Sequence, residues 1–506
     1  MMVHLNKSLL RGGLGFRAQR RLLPALLLAA SLALFVSSPA VVLGAAICVS
    51  GSTPGCETTI QAAIDIAVAG DTVTVLDGRY DENVVIPAGK DGLRLVGGGG
   101  VLDGDLPNTG VALTVESNDV TVDGLVIRNA EDYLIAAGTE IAPVSGFTID
   151  GTTVEGSNSS CVRVYGDGFL STRTTTRYCA GHAIQVTGND ATITKSRGSH
   201  TGNDVYTVVG DDADMQRNRA ILADGDGYEV WGDRARIVRN RVSVIDDDGV
   251  DVGGYDAFVS RNRVRLIDGA GIEVDRLIDD PAGPAGHGGE ITNNRVFSST
   301  VAGCVEVSDR MDAELDPVFA TVLVSGNKCR RTVDDGIGIV ADGAIVTDNW
   351  VSQVGTGRHE PCISITGDGA VITGNTGFIC AGGGLRLVGS SGVVSDNTMT
   401  KTFGYGFEVG NDTDTSDSVV VSDNLARANL GFGFAVRQSA TATALSGNKA
   451  HKNREDLCDA GTATTSMGDD FDTELDPMGA DCMLLNPAPW PTTTTTTTST
   501  TTSSTM

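Results

Sequence analysis

Asp204-Val205-Tyr206-Thr207-Val208, Asp226-Gly227-Tyr228-Glu229-Val230 and Asp248-Gly249-Val250-Asp251-Val252 are three readings of one phrase, spaced 22 residues apart. In each, an acid stands three positions before a variable residue that apolar residues flank. With the variable residue as reference, the phrase recurs at Arg163, Gln185, Thr207, Glu229, Asp251 and Glu273. After longer intervals it continues at Glu306, Gly338, Ser364, Arg386, Glu408 and Ala435. A second marker keeps the same beat: Thr152, Thr174, Ser196, then Asn218, Asn240, Asn262, Asn294 and onward to Asn448. Asparagine tolerates the left-handed backbone, so these positions are expected to be turns, one per repeat. Twenty-two residues are too few for a helix pair, and the alternation of β-branched residues predicts short strands with apolar side chains inward. Stacking such repeats gives an all-β, single-stranded parallel β-helix, a solenoid of about fourteen coils with strands ~4.8 Å apart.

Composition agrees. The 506 residues include 65 glycines but only 5% aromatics, which fits many tight turns around a slim aliphatic core. Residues 1–45 carry Lys7, Arg11, Arg17, Arg20 and Arg21, no acid, and the apolar run Leu22 to Val36, the order of a signal peptide. Its removal takes the charge from −27 to −32, leaves no transmembrane span in the mature chain and predicts a secreted or cell-surface location. Clustered cations are what nucleic acid requires, so it is excluded as a partner. Ten cysteines in an exported chain are expected to pair as near neighbours: Cys48 with Cys56, Cys161 with Cys179, Cys304 with Cys329, Cys362 with Cys380, and Cys458 with Cys482. The rod's open ends need caps. Thr58 to Val68 predicts an amphipathic capping helix, with Thr58 and Gln61 as a capping box and Ile60, Ile64 and Val68 inward. The expected organisation is leader 1–45, N-terminal cap 46–69, β-helix 70–450, C-terminal cap 451–486, and a flexible Pro/Thr/Ser-rich tail 487–506. A monomer is expected.

The capping helix, then Gly70-Asp71-Thr72-Val73-Thr74-Val75 with Gly78-Arg79-Tyr80, then iterated Val-x-x-Asn coils, resembles the secreted right-handed parallel β-helix repeat proteins of the pectate-lyase-like superfamily. The resemblance spans roughly residues 55–450 and implies a right-handed coil. It leaves activity open, because that superfamily holds lyases, hydrolases, epimerases, esterases and non-catalytic surface proteins.

Chemistry is sought where repeats stack like residues. The reference column carries Glu229, Asp251, Glu273 and Glu306 in consecutive coils, and three positions earlier stand His182, Asp204, Asp226 and Asp248. Stacked carboxylates must titrate upward or share a cation. Their one-coil spacing suits the acid pairs of glycosidases, and the same array offers oxygen ligands to Ca²⁺, with Asp246, Asp248 and Asp251 as the candidate set. A solvated acidic face is the structural alternative. Asp247-Asp248-Gly249-Val250-Asp251 and Gly225-Asp226-Gly227-Tyr228-Glu229 resemble the acidic coils of polygalacturonases, and Gly181-His182-Ala183-Ile184 resembles their Gly-His-Gly segment. Here, however, the histidine precedes the acids and no Arg-Ile-Lys segment occurs. Asp226, Asp248 and His182 are therefore the candidate catalytic residues. Asp204, Glu229, Asp251, Glu273, Glu306 and Tyr228 are the candidate substrate contacts, Tyr228 as a platform for sugars together with Tyr206 and Tyr255. The expected partner is a polysaccharide or cell-surface glycan, processed by a hydrolase or lyase, or bound by a non-catalytic adhesion rod. Arg217/Arg219, Arg239/Arg241, Arg261/Arg263 and Arg295 form a second ladder half a coil away, expected to salt-bridge acids such as Asp233 or Asp256 or to bind an anionic polysaccharide.

Overall fold

The computed structural model describes residues 44–104, 110–275, 289–308, 321–355, 360–411, 414–472, the backbone of 474–475, and residue 482. The expected leader, most of the Arg276 to Gly289 and Asp309 to Pro317 insertions and the Thr-rich tail lie outside them.

Each regular coil contributes three short strands, as in Val162–Tyr165, Leu170–Thr172 and Thr175–Cys179. Every strand pairs in parallel with its counterpart one coil on, which builds three sheets along the rod. In the first sheet the reference residues meet in register: Arg163 with Gln185, Thr207 with Glu229, Glu229 with Asp251, Asp251 with Glu273, and Glu273 with Glu306. Their neighbours, such as Val162, Val164, Ile184 and Val186, point inward and are fully or almost fully buried. Burial of each aliphatic side chain is worth about 1.5–3 kcal/mol, repeated in every coil.

The rod has about 18 turns, more than the fourteen expected. The additional coils lie at both ends. Val85, Thr114 and Ala136 precede Arg163 in the same column, but the glycine-rich strand Arg94–Asp103, with its register shift, hides their period. At the other end, Glu455–Asp459, Thr465–Met467 and Asp470–Phe471 continue the pairing past residue 450.

The asparagine ladder corrects a second expectation. The asparagines themselves are not the left-handed residues. That conformation falls on the residue just before them, Arg217, Arg239, Arg261, Asn293, Asp348, Asp396 and Asp423 among others. Asn218, Asn240, Asn262 and Asn294 point into the corner between the second and third sheets, at most 1% exposed. The Oδ1 of Asn240 accepts the N–H of Asn218 at 2.8 Å, and its Nδ2 donates to the Met215 carbonyl at 2.9 Å. The same pair of bonds repeats coil after coil. A turn that would otherwise bury unpaired main-chain groups is thereby satisfied.

The N-terminal helix is Ile60–Ile66, capped by Thr59 and not Thr58. Its first N–H groups are also met from outside, since the Glu82 carboxylate accepts from Ile60 at 2.7 Å and Gln61 at 3.0 Å. Gln61 bonds Asp65 and Val85 and forms no capping box. Ile60 and Ile64 are buried, whereas Val68 lies beyond the helix and is 64% exposed. All five expected disulfides are present, with Cα–Cα distances from 4.8 to 5.9 Å. Among the described residues no helix is long and apolar enough to cross a membrane.

Candidate functional site

The first sheet places the acids on one outward strip, because a strand of period two alternates core and surface residues. The turn before each strand adds the column three positions earlier. Its side chains form a ladder of their own: Asp204 Oδ1 accepts the N–H of Asp226, Asp226 Oδ1 that of Asp248, each at 2.8 Å, and Asp248 Oδ1 that of Ala270. One oxygen of each aspartate is thus committed to the fold. The second oxygen is not used in this ladder.

At the head of this column His182 Nδ1 lies 3.2 Å from Asp204 Oδ2, and Thr207 Oγ1 lies 2.8 Å from His182 Nδ1 and 2.9 Å from Asp204 Oδ2. Asn203 Nδ2 meets the other ring nitrogen at 3.1 Å. Sequence column and structure therefore bring His182 and Asp204 into contact. One ligand oxygen each from Asp226, Glu229 and Asp251 converge within 4.8 Å, and so do those of Asp226, Asp247 and Asp248. Both sets offer hard oxygen donors of the kind Ca²⁺ takes. Asp246, expected among the metal ligands, is exposed and belongs to neither set; Asp226 joins both.

Burial sets the protonation of this strip. Asp226, 8% exposed, is pushed up to about 9 by desolvation, with Asp248 and Asp204 adding repulsion. Burial also acts to raise Asp204, but hydrogen bonds with His182, Glu229 and the Asp226 main chain outweigh it and hold Asp204 below the usual carboxylate range. Its partner Glu229 is raised, by burial first and by Asp204, against the hydrogen bond from Trp231. The arrangement repeats two coils on, where burial and the bond to Asp248 push Glu273 up to about 9. Asp248 is itself raised by burial, and the bond from Glu273 restrains the rise. Near neutral pH Asp226 and Glu273 therefore hold their protons, while Asp204 is shifted the other way, toward the ionised form.

Further along the same sheet Glu306 is raised by burial, and Asp335 is pushed up to about 8 by burial with Glu360 and Asp334 nearby. Glu306, Ser308, Asp335, Gly338 and Ser364 line a groove of about 210 Å³ that continues the strip.

The tyrosines are a correction. Tyr206 and Tyr228 are fully buried, their rings 5.1 Å apart inside the coil, because each stands one position before a reference residue and so points inward. Tyr255 is 8% exposed. The aromatic on the strip is Trp231, 36% exposed, whose Nε1 donates to Glu229 Oε1 at 2.8 Å. Its ring lies across Gly253, where a Cβ would come within 2.7 Å of it. Trp231 is two residues past Glu229, as Asp275 is past Glu273; the period of two was the signal for both. The expected salt bridges of the arginine ladder are also absent among the described residues: Asp233 accepts instead from the Tyr255 N–H.

No curated protein matches the chain. Among solved structures, tailspike protein 3 of bacteriophage CBA120 is similar at 13% identity over 83% of this chain, with a TM-score of 0.34, and the chain spans 59% of that tailspike. The mannuronan C-5 epimerase AlgE4 A-module of Azotobacter vinelandii is similar at 16% identity over 81% of this chain and 95% of that one, with a TM-score of 0.26. DFA-IIIase of Arthrobacter chlorophenolicus, in complex with DFA-III, is similar at 14% identity over 66% and 94%, with a TM-score of 0.36. Residues 285–471 match the family model described as a right handed beta helix region. With that match and three sheets of parallel strands paired coil by coil, the chain is a right-handed parallel β-helix protein.

Proposed function

We propose that the protein binds and processes an extracellular polysaccharide on the acidic strip of its first sheet. The observation that carries this reading is Asp226, a buried carboxyl that retains its proton near neutral pH, with a second carboxyl, Asp248, one coil away. A carboxyl that holds its proton and a second carboxyl beside it are what glycoside cleavage uses. In the hydrolytic form Asp226 delivers its proton to the departing glycosidic oxygen. Asp248 acts from the next coil, taking a proton from water or attacking the sugar carbon itself. His182, buttressed by Asp204, Thr207 and Asn203, orients the ionised end of the strip, and Trp231 supplies an apolar ring for a sugar face. Glu229, Asp251, Glu273 and Glu306 line the remaining length. In the lyase form Ca²⁺ on Asp226, Glu229 and Asp251 would bind a uronate carboxylate, which the chelator arm of the test below distinguishes.

A second reading, a non-catalytic surface rod, draws on the main-chain bonds accepted by Asp204, Asp226 and Asp248, since these give the column a structural use. A screen of neutral and uronic polysaccharides, with and without chelator, separates the readings. New reducing ends mark hydrolysis, unsaturated ends mark elimination, and binding without products marks the rod. Asp226→Asn and Asp248→Asn are each expected to lower turnover at least ~100-fold, and wild-type activity in either overturns the assignment. Activity is expected to fall on an alkaline limb near pH 9, where Asp226 loses its proton.

A further inference from the structure

The corner between the second and third sheets carries a second in-register column, of opposite sign. Arg197, Arg219, Arg241, Arg263, Arg295 and Lys328 stack in six consecutive coils. All six are exposed. Neighbouring strands are about 4.8 Å apart, so the column presents one cation per coil in a straight line along the rod. Two positions earlier, Lys195, Arg217, Arg239 and Arg261 add a parallel row. Among the described residues none of these ten side chains forms an ion pair, whereas Arg173, which heads the second row one coil before Lys195, bonds Asp150, and Arg177, Arg234 and Arg236 on other faces are paired as well.

The backbone shows that this row is not filler. Lys195, Arg217, Arg239 and Arg261 all have φ between 54° and 60°, a left-handed conformation that is costly for any side chain but least so for glycine, asparagine and aspartate. Other coils fill the same corner accordingly, with Gly151, Asn293, Gly326, Asp348, Gly374 and Asp396. In five successive coils, from Arg173 to Arg261, cations occupy a site that favours other residues, and in the last four they do so beside a second row of cations. Repulsion between the rows and conformational strain both disfavour the arrangement in the free protein. An anion laid along the corner would relieve the repulsion.

We propose that this corner binds a linear polyanionic glycan, one acidic group per sugar, lying parallel to the rod axis. The carboxylate or sulfate groups would be held by guanidinium forks, whose planar donors match such oxyanions. Nucleic acid fits less well. Duplex DNA carries a charge every ~1.7 Å of its axis, far denser than the ladder. Single strands are held by rows of aromatic platforms, whereas the outward column beside the ladder reads Ser199, Ile221, Ser243, Arg265, Phe297 and Arg330, one aromatic in six coils. The chain's −27 charge further disfavours a dense polyanion. This face lies on different sheets from the acidic strip, so the two readings stand or fall separately.

The test is binding of polygalacturonate, with dextran as the neutral polymer and poly(dT) as the nucleic acid, in chelator, at 20–300 mM salt and on the full protein. Wild type is expected to bind polygalacturonate with an affinity that falls steeply with salt, and to ignore dextran. Arg219→Ser/Arg241→Ser/Arg263→Ser is expected to weaken binding about 10- to 100-fold at the lowest salt and to flatten the salt slope. The corresponding triple lysine variant should stay within about threefold of wild type. Should the serine triple fail to fold, single Arg→Gln changes at the three positions are each expected to cost two- to threefold. Unchanged binding in the folded serine triple or in all three single variants, absent or salt-insensitive binding by wild type, or tighter binding of poly(dT) than of polygalacturonate would overturn the proposal.

Discussion

Two of the stacked polar columns among the described residues are built to the same rule, and they end in different electrostatic states. In the asparagine ladder each Oδ1 accepts the next main-chain N–H and each Nδ2 donates to a carbonyl, so the ladder itself is neutral and closed. In the aspartate ladder of the first sheet Oδ1 makes the same kind of bond, but Oδ2 has no N–H of its own to give and brings charge. The repeat therefore explains why a hydrogen-bonding side chain stands at both places. It does not explain why that side chain is an acid in coils 204–248, where asparagine would close the ladder without repulsion.

The largest effect is expected on the closed side. Asn262→Ala leaves the Asn240 N–H and the Ile237 carbonyl buried without partners. Each such group costs about 1–3 kcal/mol, so a loss of about 4 kcal/mol is expected in chemical denaturation. A loss below ~1 kcal/mol would mean that water or a shifted corner replaces the ladder. The effect should not change between pH 5 and 8, because no titrating group is removed.

Asp226→Asn should act in the opposite direction and depend on pH. Burial raises the folded pKa of Asp226 to about 9 from the ordinary carboxylate value of 3.8. Its protonated form is therefore the one the fold favours. The associated stability is fully present below pH ~4 and is lost as pH rises toward 9. An amide keeps the Oδ1 acceptor for Asp248 N–H and never ionises. The variant is expected to match wild type at pH 5 and to melt about 3 °C higher at pH 8, while losing activity. A lower melting temperature at pH 8 would show that ionised Asp226 is already compensated in the fold.

These contrasts also mark what was legible beforehand. The reference column was readable to the residue because a side-chain period of two and a coil of 22 leave no freedom of register: Glu229, Asp251 and Glu273 stand where spacing put them. The disulfides followed from the same count. Tyr228 was misplaced because its neighbour, not its own column, was treated as the surface position; one step along a strand turns a side chain into the core. The asparagines were found but misread, since a buried amide ladder and an exposed turn asparagine give the same periodicity, and only the φ of the preceding arginine separates them. Protonation was the least legible feature. The pairing of Glu229 with Asp204 and of Glu273 with Asp248 depends on side chains crossing between coils and on burial, and neither is written in spacing.

The smallest expected effect tests how the open column manages its charge. Asp226, Glu229 and Asp251 converge within 4.8 Å, and such a cluster is neutralised either by protons or by a hard cation. The two compete for the same oxygens. At pH 8, where protons are scarce, millimolar Ca²⁺ is expected to raise the melting temperature by about 2 °C, the scale of a site filled to roughly ten times its dissociation constant. At pH 5 burial keeps Asp226 protonated, and the increment should vanish. In Asp226→Asn it should be lost at both pH values, while Asn262→Ala should keep it in full on a lower baseline. An increment of equal size at pH 5 and 8 would place the cation away from this cluster, and protons alone would then neutralise the column.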